Sequence, residues 1–431
     1  MSKPCSLCVA LILASLLAAC ASPPGLTQAS PAATSSTAAA TSGETDPPPS
    51  ATPSVAPENL PDLSGQTIVL FHLCDQSGLL GTANAGHIQA VEDMVAAINS
   101  GGGIYGAQLD LRFADTEGNA DAAQRALARL IRQWGEPPLA LICDPITEGA
   151  LAQQLNEDEI PALGPGTFAE ADGYIFGLDA SAEAHLAFFL ENLGANWTQR
   201  KPEGAGDAIR VALINWPPDL AGRLTGEDSP TDADELGLQI VMEEDFPAEP
   251  DANVFDLIYQ ARDENANVIY TNARGFGLAA LLNALYDLGL RERFVVAAPA
   301  LALDAQVYEY LANPSYAAGL YVTSAWAWWG EDNPGIQELI DIRGDSAAGD
   351  WGYIEMAGAV SVARRALEVA ILAEGYESLS PEAVTAALRE LDEYLAFGGL
   401  FVVDYTTGPT SAGSLRVWQV GEGTWELTEI E

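Results

Sequence analysis

The chain has 431 residues, 48% of them apolar, enough to bury a large core and to divide into two or three domains at about 100–200 residues each. Its formal net charge is −43, from 61 Asp and Glu against 18 Lys and Arg, which argues against a nucleic-acid partner, whose phosphates need a basic face, and against an anionic membrane surface read by basic residues. Only 18% of residues are charged, below the roughly 25% usual in globular proteins, so the acidity reflects scarce bases (two Lys, sixteen Arg) rather than abundant acids.

Lys3 precedes an apolar run from Val9 to Leu17 that is too short to span a bilayer, which takes about 20 residues. It reads as the core of a signal peptide over residues 1–19. The run ends in Leu17-Ala18-Ala19-Cys20, which resembles a bacterial lipobox; the resemblance implies cleavage before Cys20, lipidation of its thiol, and an extracytoplasmic, membrane-anchored protein. Residues 20–64 are rich in Ala, Ser, Thr and Pro and read as a disordered tether.

From Gly65 the pattern alternates strand and helix. Thr67–Leu73 is an unbroken apolar strand, as expected where both faces are covered. Ile88, Val91, Val95 and Ile98 then recur at helical spacing, and Gly101-Gly102-Gly103 stops that helix. Further strands are expected at Leu109–Phe113, Leu139–Ile142 and Ile160–Leu163, with a helical face at Ala123, Leu127, Leu130 and Ile131. A second set begins with a helix capped by Ser181 and continues through strands at Ile209–Ile214, Val268–Tyr270, Phe294–Ala297 and Gly319–Val322. A long helix from about Tyr353 to Ala373, a helix opened by Ser380-Pro381, and a hairpin of Leu400–Val403 with Leu415–Trp418 complete the chain. The expected fold class is α/β, with two doubly wound parallel-sheet lobes joined by crossover strands: residues 65–180 with 325–400, and 181–324 with 401–431.

Several loops follow a known pattern. Gln76-Ser77-Gly78 and Gly86 are followed by Asn99-Ser100-Gly101-Gly102-Gly103-Ile104-Tyr105-Gly106 and then Ala114-Asp115. Asp144-Pro145-Ile146-Thr147-Glu148-Gly149 resembles a G-P-x-S segment, Ile160–Thr167 an I-P-x-I-S-P segment, and Gly399–Asp404 with Gly408 a closing G-x-x-x-F-D-x-x-G. Together, from about residue 65 to 431, they resemble type I periplasmic solute-binding proteins of the leucine/isoleucine/valine class. The resemblance implies a cleft between two lobes that closes on a small solute, an ABC permease as partner, no cofactor and no covalent chemistry.

Open sheets bind at the carboxyl ends of their strands. That places Gln76, Ser77, Thr147, Glu148, Gly166, Thr167 and Phe168 at the cleft in one lobe, and Trp216, Asn272 and Arg274 in the other. Amides at Ile146–Gly149 and the Thr147 hydroxyl would receive a ligand carboxylate, unless Thr147 is only a cap. Arg274 would pair with an anion or sit on a solvated rim. Trp216 and Phe168 would sandwich an apolar ligand or pack in the core. Trp326, near the return crossover with Trp328 and Trp329, would reach the cleft or pack the hinge.

Two departures weigh against an α-amino acid. Phe168 stands where the family's amino-acid binders usually carry Thr, and Ala298-Pro299-Ala300 lacks their usual acid, leaving Asp75, Asp219 or Glu355 to hold an ammonium. Cys74 and Cys143, the pair left outside the signal and Cys20, end neighbouring strands and suit a disulfide; buried thiols, or a metal site with His72 or His87, are the alternatives. Gly275-Phe276-Gly277-Leu278-Ala279-Ala280 fits a dinucleotide fingerprint but lacks the acid that should follow. No nucleophile or zinc-protease motif occurs. The reading is a lipid-anchored solute receptor that is not an enzyme; the alternative is an envelope lipoprotein of the same fold that senses or regulates through protein contacts.

Overall fold

A computed structural model describes residues 60–430 apart from 167, 171, 222–223, 225–237, 345–350 and 410–413. The signal peptide, Cys20 and most of the tether lie outside the described residues.

The first half of the fold is β1 (Thr67–Cys74), α1 (Ala85–Ser100), β2 (Gln108–Asp115), α2 (Ala120–Trp134), β3 (Leu141–Cys143), α3 (Pro145–Glu157), β4 (Ala162–Gly164) and β5 (Ile175–Gly177). These strands form an all-parallel sheet in the order β2-β1-β3-β4-β5. Every β1 residue after Thr67 is buried, because α2 and α3 cover one face of the sheet while α1 and a later helix cover the other.

The chain then crosses to a second sheet. Its elements are α4 (Ala182–Ala195), α5 (Trp197–Arg200), β6 (Ile209–Asn215), α6 (Pro218–Ala221), β7 (Leu238–Asp245), α7 (Phe255–Asp263), β8 (Val268–Tyr270), α8 (Phe276–Asp287), β9 (Val295–Pro299), α9 (Ala305–Tyr310) and β10 (Leu320–Ser324). Ser181 caps α4 through its side-chain oxygen, which accepts the Ala184 amide at 3.2 Å. Leu186, Phe189, Leu190 and Leu193 of α4 pack one face of this sheet, and Leu278, Leu281, Leu282 and Leu285 of α8 pack the other.

A return crossover leads to α10 (Pro334–Arg343), α11 (Trp351–Glu374), α12 (Pro381–Arg389), β11 (Tyr394–Ala396) and β12 (Phe401–Val403). Ser380 caps α12 with Pro381 in its first turn, as the sequence suggests. A third crossover ends in β13 (Arg416–Val420) and β14 (Leu427–Ile430). The second sheet runs β14-β13-β10-β9-β8-β6-β7, with β13 antiparallel to both β10 and β14 and the other pairings parallel.

The expected C-terminal hairpin does not form. Phe401–Val403 pairs with Tyr394–Ala396, while β13 joins the second sheet beside β10. The Phe401 ring instead closes over α11, where a Cβ on Gly358 would fall 2.1 Å from its Cε1. Residues 401–403 therefore pack with the helical layer of the first sheet.

The three crossovers are tied to one another. The Trp326 indole N–H donates to the Leu178 carbonyl at 3.1 Å, the Tyr405 hydroxyl to the Gly177 carbonyl at 2.9 Å, and the Gly177 amide to the Pro409 carbonyl at 2.7 Å. Trp326 is fully buried against Trp351 and Phe401, Trp328 packs on Trp351 and Trp329 on Tyr353, so these rings pack the return crossover against α11.

Candidate functional site

Loops of both sheets meet over a cavity of about 70 Å3. Pro145 and Pro165 line it from the first sheet, Asp179 and Ala180 from the first crossover, and Asn272, Arg274, Pro299 and Leu301 from strand ends of the second. The two halves touch directly: the Gln306 side-chain amide, on α9, donates to the Leu79 carbonyl at 2.9 Å.

Of the residues singled out in the sequence, Asn272 and Arg274 line this cavity. The Asn272 side chain also braces its neighbourhood, accepting the Trp216 amide at 3.0 Å. Arg274 is only 6% exposed; Asp304 lies 3.5 Å from its Nε, and no hydrogen bond reaches any of its three guanidinium nitrogens. A guanidinium donates through five N–H groups, so orphaned nitrogens in a buried site mark unused recognition capacity.

The amides expected to be free at the start of α3 are not free. Asp144 is its N-cap: Oδ1 accepts the amides of Ile146 (3.0 Å) and Thr147 (3.2 Å), and Oδ2 accepts the Asp75 amide (2.8 Å) and the Thr147 hydroxyl (2.7 Å). The Thr147 hydroxyl also meets that of Thr116 at 3.0 Å. The chain's own carboxylate thus satisfies the donors that would otherwise meet an anion. An Asp directly before a Pro at the first helical position is a capping signal, and it was legible at Asp144-Pro145.

Glu148 closes the adjacent loop in the same manner. Its Oε2 accepts the Gly166 amide at 2.9 Å and its Oε1 the Phe168 amide at 2.7 Å. Burial pushes its pKa up to about 7 against the lowering effect of these two bonds. Gly166 has a φ of +81°, and a Cβ there would fall 2.3 Å from the Gly177 Cα, so the loop needs glycine. Thr167 lies outside the described residues. The amides of Gln76 and Ser77, both exposed, are drawn to Asp115 Oδ1 at 3.0 and 3.3 Å.

Phe168 and Trp216 do not face each other across the cavity. Phe168 packs against α3, where a Cβ on Gly149 would meet its ring at 2.6 Å. Trp216 packs on Phe276, ring centroids 5.1 Å apart, and over Gly277, where a Cβ would fall 2.5 Å from the indole Nε1. The second glycine of the Gly-x-Gly motif therefore admits a tryptophan ring rather than a pyrophosphate.

Of the acids considered for an ammonium, Asp75 is committed to the amides of Gly78 (2.6 Å) and Leu80 (2.9 Å). The Asp219 side chain is outside the described residues. Glu355 is fully buried on α11, its carboxyl oxygens without a hydrogen bond, 4.0 Å from His87 Nε2. Burial raises the Glu355 pKa well above its ordinary value and lowers that of His87, so it disfavours the charged form of both. Asp179, on the cavity wall, is engaged by His185 Nε2 at 3.1 Å and by the Ala180 amide at 2.8 Å.

Cys74 and Cys143 are free, buried thiols, not a disulfide. Leu73, not Cys74, stands opposite Cys143 in the register of β1 and β3, so the two side chains leave opposite faces of the sheet. Burial raises both thiol pKa values. Among the described residues no cluster of His, Cys, Asp and Glu is arranged to hold a metal, and no helix is long and apolar enough to cross a membrane.

No curated protein sequence matches the chain. Solved structures do. A branched-chain amino acid ABC transporter protein from Thermus thermophilus with bound valine aligns over 86% of this chain and 96% of its own, at 19% identity and a TM-score of 0.70. A fatty acid ABC transporter substrate-binding protein from Thermomonospora curvata aligns over 87% and 95%, at 18% identity and 0.71. A leucine-binding protein from Thermotoga maritima aligns over 84% and 98%, at 14% identity and 0.64. None of these three is described as an enzyme; they share the fold of two open α/β sheets joined by crossovers. The model of the periplasmic binding protein family matches residues 67–424, from the first strand through the last crossover and into the terminal strands. The chain is therefore a member of the periplasmic binding protein family.

Proposed function

We propose that this protein is the solute receptor of an ABC importer, tethered outside the cytoplasm by a lipidated Cys20. It takes a small polar or amino-acid-like solute into the cleft between its lobes and presents it to a permease after hinge closure. The observation that carries the reading is the cavity enclosed by strand-end loops of both sheets with the unbonded Arg274 guanidinium in its wall. The family match and the structural neighbours, which carry the names of amino acid and fatty acid transport proteins, support the same role. On this reading the cleft divides residues 65–180 with 325–400 from residues 181–324 with the terminal strands β13 and β14.

The test is thermal unfolding of the purified full chain in detergent against a broad panel of organic acids, amino acids, sugars and amides. A receptor shows a saturable rise in Tm with one solute class, since a ligand that binds only the folded state stabilises it by mass action. A flat response across the panel refutes the role and favours a lipoprotein that works through protein contacts. Mass spectrometry of the mature N-terminus should find a diacylated Cys20, and Cys20→Ser should release the protein from the membrane.

A further inference from the structure

We propose that the cleft takes a small solute with an apolar body and one carboxylate, received by Arg274, rather than an α-amino acid held by backbone amides. This rests on the receptor role above and names its ligand class.

Three observations converge. First, the backbone donors are already spent. Asp144 holds the amides of Ile146 and Thr147 and the Thr147 hydroxyl, and Glu148 holds those of Gly166 and Phe168. A ligand carboxylate could take these amides only by displacing a buried acid from its hydrogen bonds. Second, among the described residues the wall offers no free anion for an ammonium: β9 ends in Pro299, and Asp179 is held by His185 and the Ala180 amide. Third, Arg274 is the one Lys or Arg lining the cavity among the described residues; Asp304 faces its Nε at 3.5 Å, while its Nη1 and Nη2 carry no hydrogen bond although the side chain is nearly buried. The planar guanidinium fork matches a carboxylate in two parallel bonds. Beside Asp179, His185 and Asn272, the rest of the wall is apolar, with Pro145, Pro165, Leu220 and Leu301 among its residues. A carboxylate on an aliphatic or aromatic body fits that combination; an amino acid would bring an ammonium with no counterpart.

The experiment is isothermal titration of the full chain in detergent with hexanoate and benzoate, their uncharged amides, and leucine and phenylalanine. The expected result is saturable binding of at least one acid, at least about 10-fold weaker binding of its amide, and none of either amino acid. Arg274→Gln should weaken the acid by roughly 10- to 100-fold, the loss of a charge-assisted bond. The acid–amide comparison on the unaltered protein stands even if the variant does not fold. Binding of leucine or phenylalanine, amides equal to acids, or unchanged affinity in Arg274→Gln overturns the proposal. Binding of some other solute from the broad panel, with none of the acids, overturns the ligand class and leaves the receptor role intact. Silence from the whole panel overturns both.

Discussion

Glu148 gives the sharpest quantitative test of the loop that closes over α3. Its carboxyl is fully buried and its pKa lies near 7 in the folded protein against 4.5 for the free side chain. Between these values the folded state keeps a proton that the unfolded chain has released. Stability from this group is therefore present below pH 4.5, falls as pH rises through the window, and levels off above about 7. At about 1.4 kcal/mol per unit, the gap is worth roughly 3 kcal/mol, of which roughly 2–3 kcal/mol falls between pH 5 and 8. Glu148→Gln removes the titration. It also leaves an amide NH2 facing one of the two backbone amides, which costs about 1–3 kcal/mol at every pH. Urea unfolding of both proteins at pH 5 and pH 8 separates the effects. The variant should be the less stable at pH 5, and its deficit should shrink by roughly 2–3 kcal/mol at pH 8. Because Glu355 and the other buried acids are present in both proteins, their pH dependence largely cancels in the difference. A deficit that is the same at both pH values would refute the claim that burial holds a proton on Glu148.

Two further outcomes follow from packing and register. Gly166→Ala must place a methyl 2.3 Å from the Gly177 Cα at a φ of +81°, so it should cost about 2–4 kcal/mol, read as a lower urea midpoint with an unchanged slope. Cys74 and Cys143 should both be alkylated only after denaturation, without prior reduction, as mapped by peptide mass spectrometry; a peptide pair linked through sulfur would refute the free-thiol assignment.

The alternation of strands and helices was legible because most strands are apolar runs, and a parallel sheet covered on both faces demands that pattern. The strands that escaped notice break it or are too short to show it. β7 ends in Glu243-Glu244-Asp245 at an edge of its sheet, and β5 is a three-residue strand between Tyr174 and Leu178. The partner of Phe401–Val403 was misassigned to Leu415–Trp418, because the strand Tyr394–Ala396 that pairs with it is too short to stand out as a distinct apolar run. In the site, strand ends alone located Asn272 and Arg274 at the cavity. The occupation of the α3 amides was missed because Asp144 was matched to a family glycine by position and not weighed as a cap. The free thiols follow from a one-residue offset between β1 and β3, which periodicity can suggest but cannot fix.

The ties among Leu178, Trp326, Tyr405, Gly177 and Pro409 bundle the three connections into a single axle. Fastened side by side, they resist shear and twist far more than bending about one line. If the protein opens as the proposed role requires, the motion expected of such an axle is a swing of one body against the other. On the receptor role proposed above, a solute would be admitted or refused by how far that swing travels.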